Sequence, residues 1–152
     1  MIVGMRWTIT RLSVAAPCIA MFVACASGGG ARPDGVVPAD VSIRLSATPI
    51  FVSAVAPVSL EVSVRNKSSV PVLVRRIRVA SSAMVQYELR PVERTFDATL
   101  APGESTTFTL LTSAFASREA LTLNEPLNLR AHIDFEAGGQ GYREVFNVIA
   151  RP

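Results

Sequence analysis

The chain reads as an all-β protein, an antiparallel two-sheet sandwich of seven to eight strands. Three observations predict it. From Val41 onward the apolar residues recur at every second position rather than every 3.6. Gly, Pro and Asn turn signals punctuate that alternation at sandwich-like spacing. After Cys25 there is no cysteine, so the folded part must be stabilised by an apolar core, and about 110 residues suffice for one such core and not two.

The first 24 residues stand apart from this pattern. Arg6 and Arg11 precede an uncharged run, Leu12–Ala24, of 13 residues. That length fits the apolar region of an export signal and falls short of the ~20 residues a spanning helix needs. Pro17 further weakens a spanning helix. Residues 1–24 are therefore expected to be a removable signal that places the rest outside the cytoplasm. The end of the run, Phe22-Val23-Ala24-Cys25, resembles a bacterial lipobox. In that family a signal peptidase cuts before a cysteine whose thiol takes a diacylglycerol. Ala24 matches the small residue before the cut, and Phe22 stands where Leu, Val or Ile is usual. The resemblance implies lipidation of Cys25 and a membrane partner reached through acyl chains. Two or three chains hold firmly, at ~0.8 kcal/mol per buried methylene. Ala26, where an inner-membrane signal would have Asp, implies the outer membrane, facing the periplasm.

Residues 25–40 comprise the lipidated cysteine and a Gly-, Pro- and Ala-rich stretch without apolar period, which reads as a flexible linker. Fifteen such residues would average roughly 20 Å end to end and stretch to roughly 50 Å. The folded domain is then expected over 41–152.

Within it, Val41, Ile43 and Leu45 alternate with polar residues. Val58, Leu60, Val62 and Val64 do the same, as do Leu127, Leu129, Ala131, Ile133 and Phe135. Alternation this clean means strands with one face in the core and one in water, hence antiparallel sheet. Asn66-Lys67-Ser68-Ser69 joins the second strand to a third over Val70–Val79. Asn66-Lys67-Ser68 matches a glycosylation sequon but reads here as a turn. In the third strand Val72 and Val74 share one parity and Ile77 and Val79 the other, so a bulge or bend is expected at Arg75-Arg76. Val85, Tyr87 and Leu89 form a short strand stopped by Pro91. Ala101-Pro102-Gly103 is a turn before Thr106, Phe108 and Leu110. Ser113–Leu123 has few strand features and is expected to form one or two helical turns between the sheets. Gly138–Gly141 predicts a hairpin into a last strand at Tyr142–Ala150.

From Pro57 onward this pattern resembles the immunoglobulin-like and fibronectin-III-like sandwiches of bacterial envelope proteins. Within that group it is most similar to the late embryogenesis abundant type 2 domain, the water-stress and hypersensitive-response domain. The segments that carry the likeness are Val58–Arg65, the Asn66–Ser69 turn, Val70–Val79, and Leu100-Ala101-Pro102-Gly103-Glu104 before Ser105–Leu111. Asn66-Lys67 stands where that family has Asn-Pro-Asn. The resemblance implies a non-enzymatic envelope or stress-protective role and no catalytic residues.

Composition excludes little else. Removing the signal takes two of the 15 basic residues and none of the 12 acidic ones, so 13 face 12 and the mature net charge is +1. The basic precursor is thus no argument for nucleic acid. The sole histidine, His132, falls by parity on an outward face between Arg130 and Asp134 and makes no Ser-His-Asp constellation. Asp134 and Glu136 share a strand face roughly 7 Å apart, the one spacing that would serve a carbohydrate hydrolase. Arg130 and Arg143 are placed to pair with them. No loop offers the six or more oxygens of a calcium site, and no cofactor, metal or small-molecule substrate is indicated. Arg75, Arg76, Arg78, Arg90 and Arg94 lie on the third and fourth strands, where several could share one face. They form a candidate interaction patch for anionic headgroups or an acidic partner, or else a charged edge that blocks aggregation. The leading expectation is a lipid-anchored, non-catalytic protein-interaction module with an envelope protein as partner, its mechanism strand addition at a sheet edge or loop contact.

Overall fold

The computed structural model describes residues 30–46, 55–82, 87–116 and 127–150. The signal, Cys25, Val85 and the 117–123 part of the expected helical segment lie outside the described residues.

Eight strands form in chain order: β1 (Asp40–Leu45), β2 (Val55–Arg65), β3 (Val72–Ser81), β4 (Tyr87–Leu89), β5 (Val92–Leu100), β6 (Ser105–Ala116), β7 (Leu127–Ala137) and β8 (Gln140–Ala150). Sheet A has the order β1-β2-β6-β4 and sheet B the order β5-β3-β7-β8, with every pairing antiparallel. Only β1–β2 and β7–β8 are chain neighbours within one sheet, and every other connection crosses between the sheets, in the manner of an immunoglobulin-like sandwich.

Alternation decides the faces. β2 turns Ala56, Val58, Leu60, Val62 and Val64 inward, and β7 turns Leu127, Leu129, Ala131, Ile133 and Phe135 inward. These meet Ile77 and Val79 of β3 and Leu110 of β6 in one contiguous core. Burial of each such side chain contributes about 1.5–3 kcal/mol. The slip at Arg75-Arg76 is a β-bulge: the register of β3 shifts between Val74 and Arg76 against both neighbours. Val74 and Ile77 therefore both reach the core while the residues between them do not.

Three features differ from expectation. A full strand, β5, lies between Pro91 and the Ala101 turn. Its alternation of Val92, Phe96, Ala98 and Leu100 is interrupted by Arg94, which hid it in the sequence. β4 and β5 are one run of chain that changes sheets at Arg90-Pro91, β4 pairing with β6 and β5 with β3. Pro91 has no N–H to give a ladder, so the break falls there. Ser113–Ala116 is strand rather than helix, because it extends β6 against Val55–Pro57 and Tyr87–Leu89. Pairing with two neighbours satisfies backbone groups that weak local strand character could not decide.

The third correction concerns the expected linker. Gly30–Ala39 packs on the sandwich. Arg32 Nε lies 2.5 Å from Glu144 Oε1, and the Ala39 N–H donates to Glu144 Oε2 at 3.3 Å. Ser68 Oγ accepts from the Val37 N–H and donates to the Val37 carbonyl, while Val36 enters the core. A Cβ on Gly30 would meet the Gly141 carbonyl oxygen at 2.7 Å, so this close approach requires glycine. The folded unit thus begins well before Val41.

Two turns anchor one end of the sandwich. Ala137 pairs with Gln140 across Gly138-Gly139, whose φ values of 58° and 79° are those of a two-residue hairpin turn. At the same end of the molecule Asn66, 2% exposed, is a hub. Its Nδ2 donates to the carbonyls of Val70 (2.8 Å), Leu100 (3.0 Å) and Ala101 (3.3 Å). Its Oδ1 accepts from the Ser68 N–H at 2.8 Å, an Asx turn. Its backbone bonds the Gly103 and Glu104 turn. The sequon asparagine is therefore a buried clamp between two loops.

Candidate functional site

The outer face of sheet B gathers most of the charged residues singled out in the sequence. Because of the bulge, Arg75 and Arg76 both lie on it, with Arg78 one step further along β3. β7 contributes Arg130, His132, Asp134 and Glu136, and β8 contributes Arg143.

Most of these charges are paired. Arg75 Nη1 lies 2.6 Å from Asp97 Oδ1, and its Nη2 lies 2.8 Å from Glu136 Oε2. Arg76 Nε donates to Asp134 Oδ2 at 2.7 Å and its Nη1 to Glu93 Oε1 at 3.2 Å. Arg143 closes on the other side of Asp134, Nε to Oδ1 at 2.5 Å. Arg143 thus pairs with Asp134 as expected, whereas Arg130 turns instead to Asn147 Oδ1 at 3.3 Å.

The electrostatics follow. Burial pushes the Asp134 carboxyl up, but bonds from Arg143 and Arg76 outweigh it and hold the group below its ordinary range. That is the opposite of what a general acid for glycoside cleavage needs. His132 sits partly buried, and desolvation, then the fields of Arg143, Arg78 and Arg130, push its pKa below the ordinary value. Bonds to Glu136 and Asp97 raise the Arg75 guanidinium further.

Several of the five arginines of the candidate patch share one face, as expected, but not all of them. Arg75, Arg76 and Arg78 share the outer face of sheet B. Arg94 has the opposite parity on β5, packs its guanidinium 5.4 Å from the Phe96 ring centroid, and donates to the Thr109 carbonyl of β6 at 3.3 Å. Arg90 lies at the sheet switch, where its backbone bonds Ser113 and Thr112.

The two open sides of the sandwich are unlike each other. Where β5 meets β6, the Arg94 bond and the Phe96–Phe108 pair, 4.6 Å between centroids, close the gap. Where β1 meets β8, Gly30–Ala39 covers only the first part of β8, through Gln140 and Glu144. Further along lies a groove of about 620 Å³ between β1 (Val41–Leu45) and Val148 and Ile149 of β8. Ile149 is 60% exposed and Val145, on the outer face of the same edge strand, 52%. Parity could have flagged these two apolar residues, since they fall at the polar positions of β8.

Among the described residues no group of three His, Cys, Asp or Glu side chains is placed to hold a metal ion.

No family model matches the chain, and no curated protein matches it. Solved structures similar to it include the structural-genomics target SoR45, 11% identical over 76% of this chain and 82% of that one, with a TM-score of 0.44. A protein from Archaeoglobus fulgidus is 15% identical over 71% and 90% of the two chains, with a TM-score of 0.39. The ASH / PapD-like domain 7 of human CEP192 is 10% identical over 93% and 96%, with a TM-score of 0.34.

Proposed function

We propose that the protein is a lipid-anchored module of the bacterial envelope that works by binding another protein at the β1/β8 side of its sandwich. The observation that carries this reading is the groove between the β1 edge and Val148–Ile149, an open sheet edge flanked by exposed apolar side chains. Edge strands are usually blunted by charge, proline or cover. Among the described residues the cover of Gly30–Ala39 stops at Glu144, and the remaining edge offers backbone groups to an added strand with an apolar seat beside it.

The anchor is the acylated Cys25 implied by the lipobox resemblance. From Cys25 to Gly30 the chain reaches at most about 18 Å. The sandwich is therefore held close to the lipid surface, not on the long tether that a free linker to residue 40 would provide.

Two experiments test the two halves separately. Cys25→Ser should release the protein from the membrane fraction, and mass spectrometry of the wild type should find acyl chains on Cys25. An unacylated wild type overturns the anchor. A photo-crosslinking residue at Ser42 or Ile149 should join one defined partner in native membranes, and the same probe at Thr107, on the outer face of sheet A, should not. Identical adducts at all three positions overturn the groove.

A further inference from the structure

The outer face of sheet B holds five arginines and four carboxylates among the described residues, yet the pairing is uneven. Arg75, Arg76 and Arg143 take Asp97, Glu136, Glu93 and Asp134. Among the described residues this leaves Arg78 and Arg130 without a carboxylate. Both flank His132. Arg78 sits directly across from it on β3, about 5 Å away at Cβ. Arg130 lies two residues before it on the same face of β7, about 7 Å away.

We propose that this end of the sheet binds a doubly charged oxyanion, the phosphate of a monoester or a sulfate, seated by Arg78 in the cleft beside His132, with Arg130 reaching it from the far side of the ring. The cleft beside His132 measures about 150 Å³ and is lined by Arg76, Arg78, Glu93, Asp134 and Arg143, while Arg130 stands outside this lining on the other side of His132. That is room for about five waters at ~30 Å³ each, ample for one tetrahedral oxyanion. The two carboxylates in the lining do not repel it strongly. Asp134 already accepts from Arg76 and Arg143, and Glu93 accepts from Arg76. Arg130 spends its Nε on Asn147, and among the described residues its η nitrogens have no partner. Guanidinium groups suit this role because their planar fork matches two oxygens at once.

His132 makes the site pH-dependent. Without a ligand it is ringed, among the described residues, by Arg76 and Arg78 from β3, Arg143 from β8 and Arg130 on its own strand, against Asp134 and Glu93. Desolvation first, and these cations after it, disfavour its protonation. An anion seated among them reverses the local field and favours the imidazolium, which donates to the ligand in turn. Binding therefore tightens as pH falls through the histidine range.

His132 is the only histidine in the chain, so its ring protons are a direct reporter in the full-length protein held in nonionic detergent. Sulfate stays doubly charged across the range and is the cleanest soluble probe. It should raise the His132 pKa by about one pH unit relative to chloride at equal ionic strength, a tenfold preference for the protonated site. Phosphatidic acid mixed into the detergent micelles, compared with phosphatidylcholine, tests a membrane source of the same group. A shift with sulfate assigns a free oxyanion; a shift with phosphatidic acid alone assigns a lipid headgroup. The Arg78→Gln, Arg130→Gln double variant should abolish either shift while the circular dichroism spectrum is retained. The proposal is overturned if neither probe moves the pKa beyond its control, or if the shift survives in the double variant.

Discussion

Replacing Asn66 by alanine removes the donors to the Val70, Leu100 and Ala101 carbonyls and the acceptor for the Ser68 N–H. The side chain is almost fully buried, so the groups it leaves behind lose partners that water cannot easily replace. Asn66→Ala should cost about 2–3 kcal/mol, read as a lower urea midpoint at unchanged slope. Asp134 and His132 both predict a loss of stability as pH falls, over different ranges. The folded Asp134 pKa lies below its ordinary 3.8, so its stabilisation is present above that value and is lost as pH falls through the folded pKa. Asp134→Asn should flatten that acid limb of the stability curve. The folded His132 pKa lies below its ordinary 6.5, so charging it costs stability as pH falls below 6.5, a loss that His132→Gln should remove. Parity in the sequence placed His132 and Asp134 on the outward face. It did not reveal that Arg76, 58 residues away, would share Asp134 with Arg143.

At the scale of elements, a buried carboxylate is one of the main holds on the segment before β1. Glu144 is 7% exposed on β8 and holds both Arg32 and the Ala39 N–H. Glu144→Ala should release this segment while the sandwich stays folded. Faster amide exchange at Val37 and Ala39, with β7 amides unchanged, would show it. The β3 bulge was legible because an extra residue in the strand is what lets two apolar parities face one core. The strand β5 was not, because Arg94 occupies a core-parity position. It is tolerated there because β5 is an edge, and its guanidinium reaches out to the Thr109 carbonyl. Gly30–Ala39 was missed for a related reason. An extended segment that packs through one carboxylate and one hydroxyl carries no apolar period.

For the molecule as a whole, the core joins both sheets through side chains such as Leu60 and Phe135, which are fully buried. Phe135→Ala should cost about 3–5 kcal/mol by loss of transfer energy and creation of a cavity. Tyr142 stacks on Phe135 at 5.4 Å between centroids, and burial pushes its hydroxyl up to about 12. Refolding should take milliseconds to seconds in stopped-flow fluorescence, because β2–β6 and β3–β7 pairing closes long loops before it is rewarded. The strand faces, the bulge and the hairpin at Gly138-Gly139 were determined by the sequence itself, since period and turn chemistry are properties of neighbouring residues. Which sheet each strand joined, where the chain switched at Arg90-Pro91, and which arginines met a carboxylate were decided only by tertiary structure. Those outcomes depend on partners such as Arg32 and Glu144, 112 residues apart, and no local pattern encodes a meeting at that distance.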